Sequence, residues 1–401
     1  MEFIPSGSIT SPKGFHAGAT YAGIKKKANN VLDLGILFSE VSCTAAGLFT
    51  ANRIKAAPVI LCQQQLQSGR ATAVIVNSGC ANAFTGEQGL ADAAEMAELA
   101  ARAIGIPAKE VLVASTGVIG VPLPVSLIKA GIEQVVLSQN GGHELARAIM
   151  TTDTVPKETA VEVKTRESTF TIGGAAKGSG MIHPDLGTML CFLTTSAAVD
   201  RDFLKMALQK AVDNSFNMIS VDGDTSTNDT VLILANGLAR NKTITEGSEQ
   251  AVAFQQALDN ICIYLAKCIA RDGEGASKLI EVTIDKALST ADARRAARAV
   301  VSSPLVKTAV HGNDPNWGRV MAAIGRSGAE VMESKIDLDI GNISMVKSGK
   351  PVSYDAGKVI KELDSNEVSI RVQLNLGIAK ATAWGCDLSK EYVTINAQYT
   401  T

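Results

Sequence analysis

The chain has 401 residues, long enough for one large layered domain or two lobes, so burying a sizeable core is not limiting. Its 38 lysines and arginines balance 40 aspartates and glutamates for a formal net charge of −2, which gives no ground for a nucleic-acid or anionic-membrane partner and favours a small molecule. Aromatic residues make up 4% of the chain against 35 glycines, a composition that removes the stacking platforms of single-strand binders and favours tight turns and close backbone approaches.

The cysteines, Cys43, Cys62, Cys80, Cys191, Cys262, Cys268 and Cys386, contain no C-x-x-C pair, so reduced thiols in a cytosol are expected. His16, His143, His183 and His311 are far apart and no zinc-ligand spacing is present, so no metal is expected. The N-terminus MEFIPSGSITSPKGF lacks a charged start followed by an apolar region, and no stretch approaches about eighteen uninterrupted apolar residues, so a cytoplasmic protein without membrane spans is expected.

In chain order, Leu32 to about Ala46 reads as two strands, and Val59 to Leu66 as a short helix behind the segment FTANRIKAAPV. Thr72–Val76 is a strand that ends in the small, polar run Asn77 to Gly86, a loop either hugging a ligand or closed by Asn77 and Asn82 on local backbone. Glu87–Ile104 has apolar positions three and four apart in an alanine-rich body, which predicts a helix stopped by Gly105 and Pro107. Val111–Thr116 is a strand delivering Thr116 and Gly117 at its end, where a hydroxyl and a backbone N–H could stabilise an oxyanion. Helical patterns follow over Val125 to about Gln139 and from His143 to Thr151, then a hairpin of Thr159–Lys164 and Ser168–Gly173 turning at Arg166 and Glu167.

The stretch KGSGMIHPDLGTMLCFLTT, Lys177 to Thr195, joins a glycine-rich loop to a strand. Met189 to Leu193 is continuously apolar, the pattern of a strand covered on both faces. Thr188 at its head is either a plain threonine opening a strand after a glycine turn or a nucleophile behind Gly187, which lacks a Cβ and tolerates backbone angles that other residues resist, and the second reading carries a definite chemistry. The chemistry expected is self-cleavage: the Thr188 hydroxyl attacks the Gly187 carbonyl, the acyl group moves from nitrogen to oxygen, and water hydrolyses the ester. Thr188 then carries a free α-amine of pKa near ~8 that serves as base for its own hydroxyl.

Downstream, Asp200 is a helix N-cap ahead of the stripe Leu204, Ala207, Leu208, Ala211 and Val212. VDGDTSTND, from Val221 to Asp229, is rejected as an EF-hand because Thr227 stands at the sixth position and Ile233 at the twelfth. TVLILA is a strand, Ser248 to Ala270 a helix, Lys278–Ile284 a strand, Ala291 to Val301 a helix, and a further strand is expected after Pro304. HGNDPNWGR opens another helix, and the last eighty or so residues read mainly as strands, with period-two alternation in EVSIRV. KGSG carries its lysine ahead of the glycines, unlike a P-loop, and no G-x-G-x-x-G follows a strand.

FTANRIKAAPV, VNSGCANAFTG, STGVIG, TTDTVPK, KGSG, the TML at Thr188, NDPNWGR, ATAWGCDLS and EYVTINAQYTT occur in one order over most of the chain. In these segments the chain resembles the ornithine acetyltransferase family of arginine biosynthesis, also called glutamate N-acetyltransferase. The resemblance implies a layered αββα-type sandwich of the self-processing aminopeptidase kind, cut between Gly187 and Thr188 into fragments 1–187 and 188–401 that stay together and assemble as a heterotetramer. It implies acetyl transfer from N2-acetylornithine to glutamate through an acetyl-Thr188 ester, with Thr116 and Gly117 as oxyanion hole and Thr154, Lys177, Thr188, Glu274, Asn396 and Thr401 lining the amino-acid site. Lys177 would pair a substrate carboxylate and Glu274 an ammonium. Gly187 stands where family members commonly carry alanine, and keeps the small size. No cofactor is implied; acetyl-CoA as a co-substrate is left open, as is a hydrolase sharing the N-terminal nucleophile, an amidohydrolase or aminopeptidase.

Overall fold

In the computed structural model, which describes residues 1–25, 31–183 and 189–398, the strand Leu190–Thr195 is buried along its whole length. Alternate side chains of a strand point to opposite faces, so its two sets serve two cores. Cys191 and Leu193 join one cluster with the helices Arg201–Asp213 and Glu249–Arg271. Leu190 and Phe192 join another with Leu37, Val74, Ile75 and Val113. A strand covered on both sides has no polar face to alternate with, which is why the sequence there is continuously apolar.

This strand lies within a nine-stranded mixed sheet ordered Glu2–Phe3, Lys157–Lys164, Thr169–Lys177, Leu190–Thr195, Thr230–Ala235, Leu34–Phe49, Arg70–Cys80, Val111–Val118, with Phe15–Thr20 paired to Leu34–Phe49 outside that row. A second sheet of seven strands runs Lys350–Pro351, Ile343–Lys347, Asp337–Ile340, Glu367–Gln373, Leu279–Ala287, Ala379–Cys386, Ile219–Ser220. Helix Glu249–Arg271 packs against Lys157–Lys164 of the first sheet and Ala379–Cys386 of the second, while Ala57–Gln65, Gly86–Ile104 and Gly142–Ala148 cover the other core. The chain is thus the layered α/β sandwich expected. Leu190–Thr195 pairs antiparallel with Thr169–Lys177 and parallel with Thr230–Ala235, so a chain break ahead of residue 188 would leave both pieces hydrogen-bonded within one sheet. Among the described residues no helix is long and apolar enough to cross a membrane.

Local chemistry accounts for several boundaries. Asp200 accepts from Asp202 N at 3.0 Å and Phe203 N at 3.1 Å, capping Arg201–Asp213 as expected. Gly105 closes Gly86–Ile104 in the left-handed region, φ 82°.

Elsewhere the structure corrects the sequence reading. Leu34–Phe49 is one strand, its register to Arg70–Cys80 shifting between Phe38 and Cys43, where two strands were expected. Asn77–Cys80 belong to strand Arg70–Cys80 because Val111–Val118 pairs alongside them, although their small polar side chains read as loop. The segment after Pro304 is the helix Pro304–His311, not a strand. Proline sits in its first turn, where its missing N–H costs nothing, and Ser303 Oγ accepts from Val306 N at 3.4 Å. The helix from Val125 ends at Ile132, and the strand-rich C-terminal part also holds the helices Ala356–Leu363 and Lys390–Gln398.

Candidate active site

Thr116, Gly117, Lys177, Glu274 and Asn396, carried by four separate segments and all singled out from the sequence, line one cavity of about 140 Å³ together with Thr151, Ala81, Ser226 and Asn228. Engineered cavities of comparable size, about 150 Å³, take up a benzene-sized molecule, so the space suits a small metabolite.

Thr116 and Gly117 sit at the end of strand Val111–Val118, where the register to Arg70–Cys80 breaks at Gly79 and Cys80. Gly117 has φ 132°, and a Cβ there would lie 2.3 Å from the carbonyl carbon of Gly79, so only glycine permits the two strands to approach this closely. The peptide ahead of Thr116 is clamped from both sides: Asn228 Nδ2 donates to Ser115 O at 2.8 Å and Ser115 Oγ donates to Asn77 Oδ1 at 2.6 Å. Asn77 Nδ2 in turn donates to Cys80 O at 2.9 Å, and Asn82 Nδ2 to Gly89 O at 2.9 Å, so both asparagines satisfy local backbone.

Lys177 ends the strand Thr169–Lys177 with its side chain buried. Its Nζ donates to Thr151 Oγ1 at 2.8 Å and Thr116 Oγ1 at 3.4 Å, and stands 4.0 Å from Asp153 Oδ2. Burial pushes its pKa below the ordinary lysine value, opposed first by the charge of Asp153.

Glu274 lies in the turn after helix Glu249–Arg271, its N–H donating to Ser179 O at 2.8 Å. Asn396, on helix Lys390–Gln398, donates from Nδ2 to Glu274 Oε2 at 2.8 Å. Gly180 is small for a reason visible here: a Cβ on it would lie 2.4 Å from Glu274 Cδ. The other end of that loop is braced by Asp222, which accepts from Met181 N at 2.5 Å and Ile182 N at 3.0 Å.

Thr154 is not among the residues lining the cavity; its hydroxyl donates to Asp272 and its N–H to Asp272 Oδ2 at 3.0 Å. Gly187, Thr188 and Thr401 lie outside the described residues. The amide that follows Thr188 in the chain is placed, however: Met189 N donates to Asp229 Oδ1 at 2.9 Å, and burial pushes that carboxyl's pKa well up. Ala81, Ser226, Asn228 and Asp229 were not anticipated as site residues. The signal for the last three was present in VDGDTSTND, a polar run ending at a buried strand, but its carboxylates drew attention to calcium, whereas its side chains bond to backbone.

The arrangement places an ammonium, a carboxylate and a strand-end hydroxyl with its glycine around one small, partly enclosed space. Such a site can hold a zwitterionic or acylated amino acid by both charges and stabilise a negative oxygen beside the strand end.

The ArgJ family model matches residues 16–401. A Dehalococcoides mccartyi protein named arginine biosynthesis bifunctional protein ArgJ is 54% identical over 401 residues, spanning 100% of this chain and 99% of its own length. Its namesake in Symbiobacterium thermophilum is 53% identical over 403 residues, spanning 100% of both. A solved Bacillus halodurans structure of the same name is 45% identical with a TM-score of 0.50, the match covering 51% of this chain and 97% of that one.

Proposed function

The chain belongs to the ArgJ family, and from that premise we propose that it is an acyltransferase of arginine biosynthesis that moves the acetyl group of N2-acetylornithine to glutamate by way of an ester on Thr188. The observation that carries the reading is the meeting of Lys177 and Glu274 in one small cavity with Thr116 and Gly117. Lys177 meets a substrate carboxylate and Glu274 an ammonium, which sets the acyl carbon of the donor toward the strand end.

In the first half-reaction the Thr188 oxygen bonds to the acetyl carbon, the hydroxyl proton passes to the α-amine, and the negative carbonyl oxygen rests against Thr116 and Gly117. The C–N bond to ornithine breaks and its nitrogen takes that proton. Glutamate's amine then attacks the ester, and the Thr188 oxygen recovers a proton as N-acetylglutamate leaves. Enclosure by the cavity wall favours the amine over water as acceptor.

The α-amine exists only after cleavage between Gly187 and Thr188, so the mature protein consists of fragments 1–187 and 188–401, two of each in the assembled enzyme. The sheet shared across that boundary supports their staying together. The solved Bacillus halodurans chain, matched over 97% of its length by 51% of this one, has about the length of a single fragment. Acetyl-CoA is proposed as a second acetyl donor to the same threonine, in keeping with relatives named bifunctional.

The test is mass spectrometry of the purified protein with acetylornithine alone. Two fragments starting at residues 1 and 188, with the acetyl label on Thr188, are expected, and acetylglutamate should appear only when glutamate is added. Free acetate released at a comparable rate without glutamate would replace the transferase reading by the amidohydrolase. Thr188→Ala should stay uncut and inactive, and Thr188→Ser should retain some cleavage. Acetylglutamate formed from acetyl-CoA and glutamate, with no acetylornithine present, tests the second donor.

A further inference from the structure

We propose that Asp153 is the positioning residue of this site, the group that fixes Lys177 against the cavity wall and keeps it cationic for a substrate carboxylate. The inference rests on the reading of Lys177 given above and names the residue on which that role depends.

The Asp153 carboxylate is fully buried and uses both oxygens. Oδ1 accepts from Gly178 N at 2.7 Å and Lys157 Nζ at 2.6 Å; Oδ2 accepts from Thr151 N at 3.0 Å and faces Lys177 Nζ at 4.0 Å. It therefore holds the peptide that follows Lys177 and the backbone of Thr151, whose hydroxyl is the nearer partner of the Lys177 ammonium at 2.8 Å. Among the described residues it is also the one carboxylate within ion-pair distance of Lys177. Thr116 and Thr151 offer Lys177 only hydroxyls, which solvate the charge without neutralising it.

One carboxylate between two buried cations is unbalanced, and Asp272 restores the balance: Lys157 Nζ donates to Asp272 Oδ2 at 2.6 Å. Thr154 donates to Asp272 through its N–H and its hydroxyl. Thr154 is thereby linked to the cavity through Asp272, Lys157 and Asp153, three side chains away from Lys177.

The groups acting electrostatically on Lys177 are Asp153, Asp229 and Glu274, which favour its charge, and Lys157, which opposes it; Lys25 stands close enough to interact as well. Asp153 is the strongest of these, ahead of Lys157, and its own carboxyl is held down at about 2 against the penalty of burial by Lys177 and Lys157 and by its bonds to Lys157 and Gly178 N. A buried ion pair is seldom the cheapest way to stabilise a fold, since apolar side chains of like volume do as well. At the wall of a cavity it has another consequence: it decides whether the lysine facing the ligand is charged.

The test is the pH profile of kcat/KM for acetylornithine with Asp153→Asn. Loss of the carboxylate favours neutral Lys177, so the alkaline limb is expected to move to lower pH by about one unit, with KM rising about tenfold at neutral pH and kcat changing less. Should Asp153→Asn not accumulate as folded protein, the double variant Asp153→Asn/Lys157→Gln removes one anion and one cation together. The limb should still move down, because the attraction of Asp153 outweighs the repulsion of Lys157. A lysine 13Cε titration of the wild type needs no variant and should find Lys177 charged at pH 7. An unmoved limb with an unchanged KM, or a neutral Lys177 at pH 7 in the wild type, overturns the proposal. Wild-type protein without acetyl transfer would instead overturn the functional reading, and the two failures are told apart by that control.

Discussion

Asn396 Nδ2 donates to Glu274 Oε2 at 2.8 Å, a bond across 122 residues of sequence that makes the C-terminal helix Lys390–Gln398 one wall of the cavity. The carboxylate proposed to meet a substrate ammonium is oriented by Asn396. Asn396→Ala frees Glu274 to turn toward solvent, and a lost hydrogen bond to a charged group is worth about 1.5–3 kcal/mol. Steady-state kinetics should show kcat/KM for acetylornithine falling by about tenfold or more.

Gly180→Ala places a methyl group where the Glu274 carboxyl lies, its Cβ 2.4 Å from Cδ. The end of a glutamate side chain swings aside at little cost, so the fold should survive while the carboxylate leaves its place. We expect near-wild-type unfolding in denaturant together with a KM raised as far as in Glu274→Gln. A variant with normal KM would show that Glu274 tolerates the displacement and does not contact the substrate.

Acid should act on Asp153. Its folded value, about 2, lies below the ordinary aspartate value of 3.8, so its contribution to stability is fully present above the unfolded pKa and is lost as pH falls through the folded one. The window is therefore roughly pH 4 to 2, and the shift corresponds to about 2 kcal/mol. Asp229, pushed upward by burial, changes stability above the usual carboxylate range and leaves this window clear. In denaturant unfolding, the stability gap between wild type and Asp153→Asn should narrow by about 2 kcal/mol from pH 5 to pH 2; a gap independent of pH would contradict the assignment.

Asp200→Ala removes the acceptor for Asp202 N and Phe203 N at the start of Arg201–Asp213. That cap is worth about 1 kcal/mol, and the loss should appear in denaturant unfolding with kinetics unaltered, since the helix supplies no cavity residue. An unchanged stability would mean that water replaces the cap fully.

Local rules sufficed where a segment's conformation depends on its own neighbours. The apolar run Met189 to Leu193 announces a strand buried on both faces, Asp200 ahead of a 3.6-residue stripe announces a capped helix, and Val368, Ile370 and Val372 alternate with exposed residues on Glu367–Gln373. Motifs in family order placed Thr116, Gly117, Lys177, Glu274 and Asn396 on the candidate list, and they do share a cavity. Local rules misled where long-range pairing or position within an element prevailed. Asn77–Cys80 look like loop and are strand because Val111–Val118 pairs beside them, and Pro304 looks like a strand lead-in but starts a helix whose first turn needs no proline N–H. Nothing in the spacing of Asp153, Lys157, Lys177 and Asp272 says that four charges will be buried together. A charge finds its partner by three-dimensional proximity, and its cost or benefit depends on how much water the packed core removes from both. Composition and periodicity carry no record of that water; the two sheets and the helix Glu249–Arg271 packed against both do.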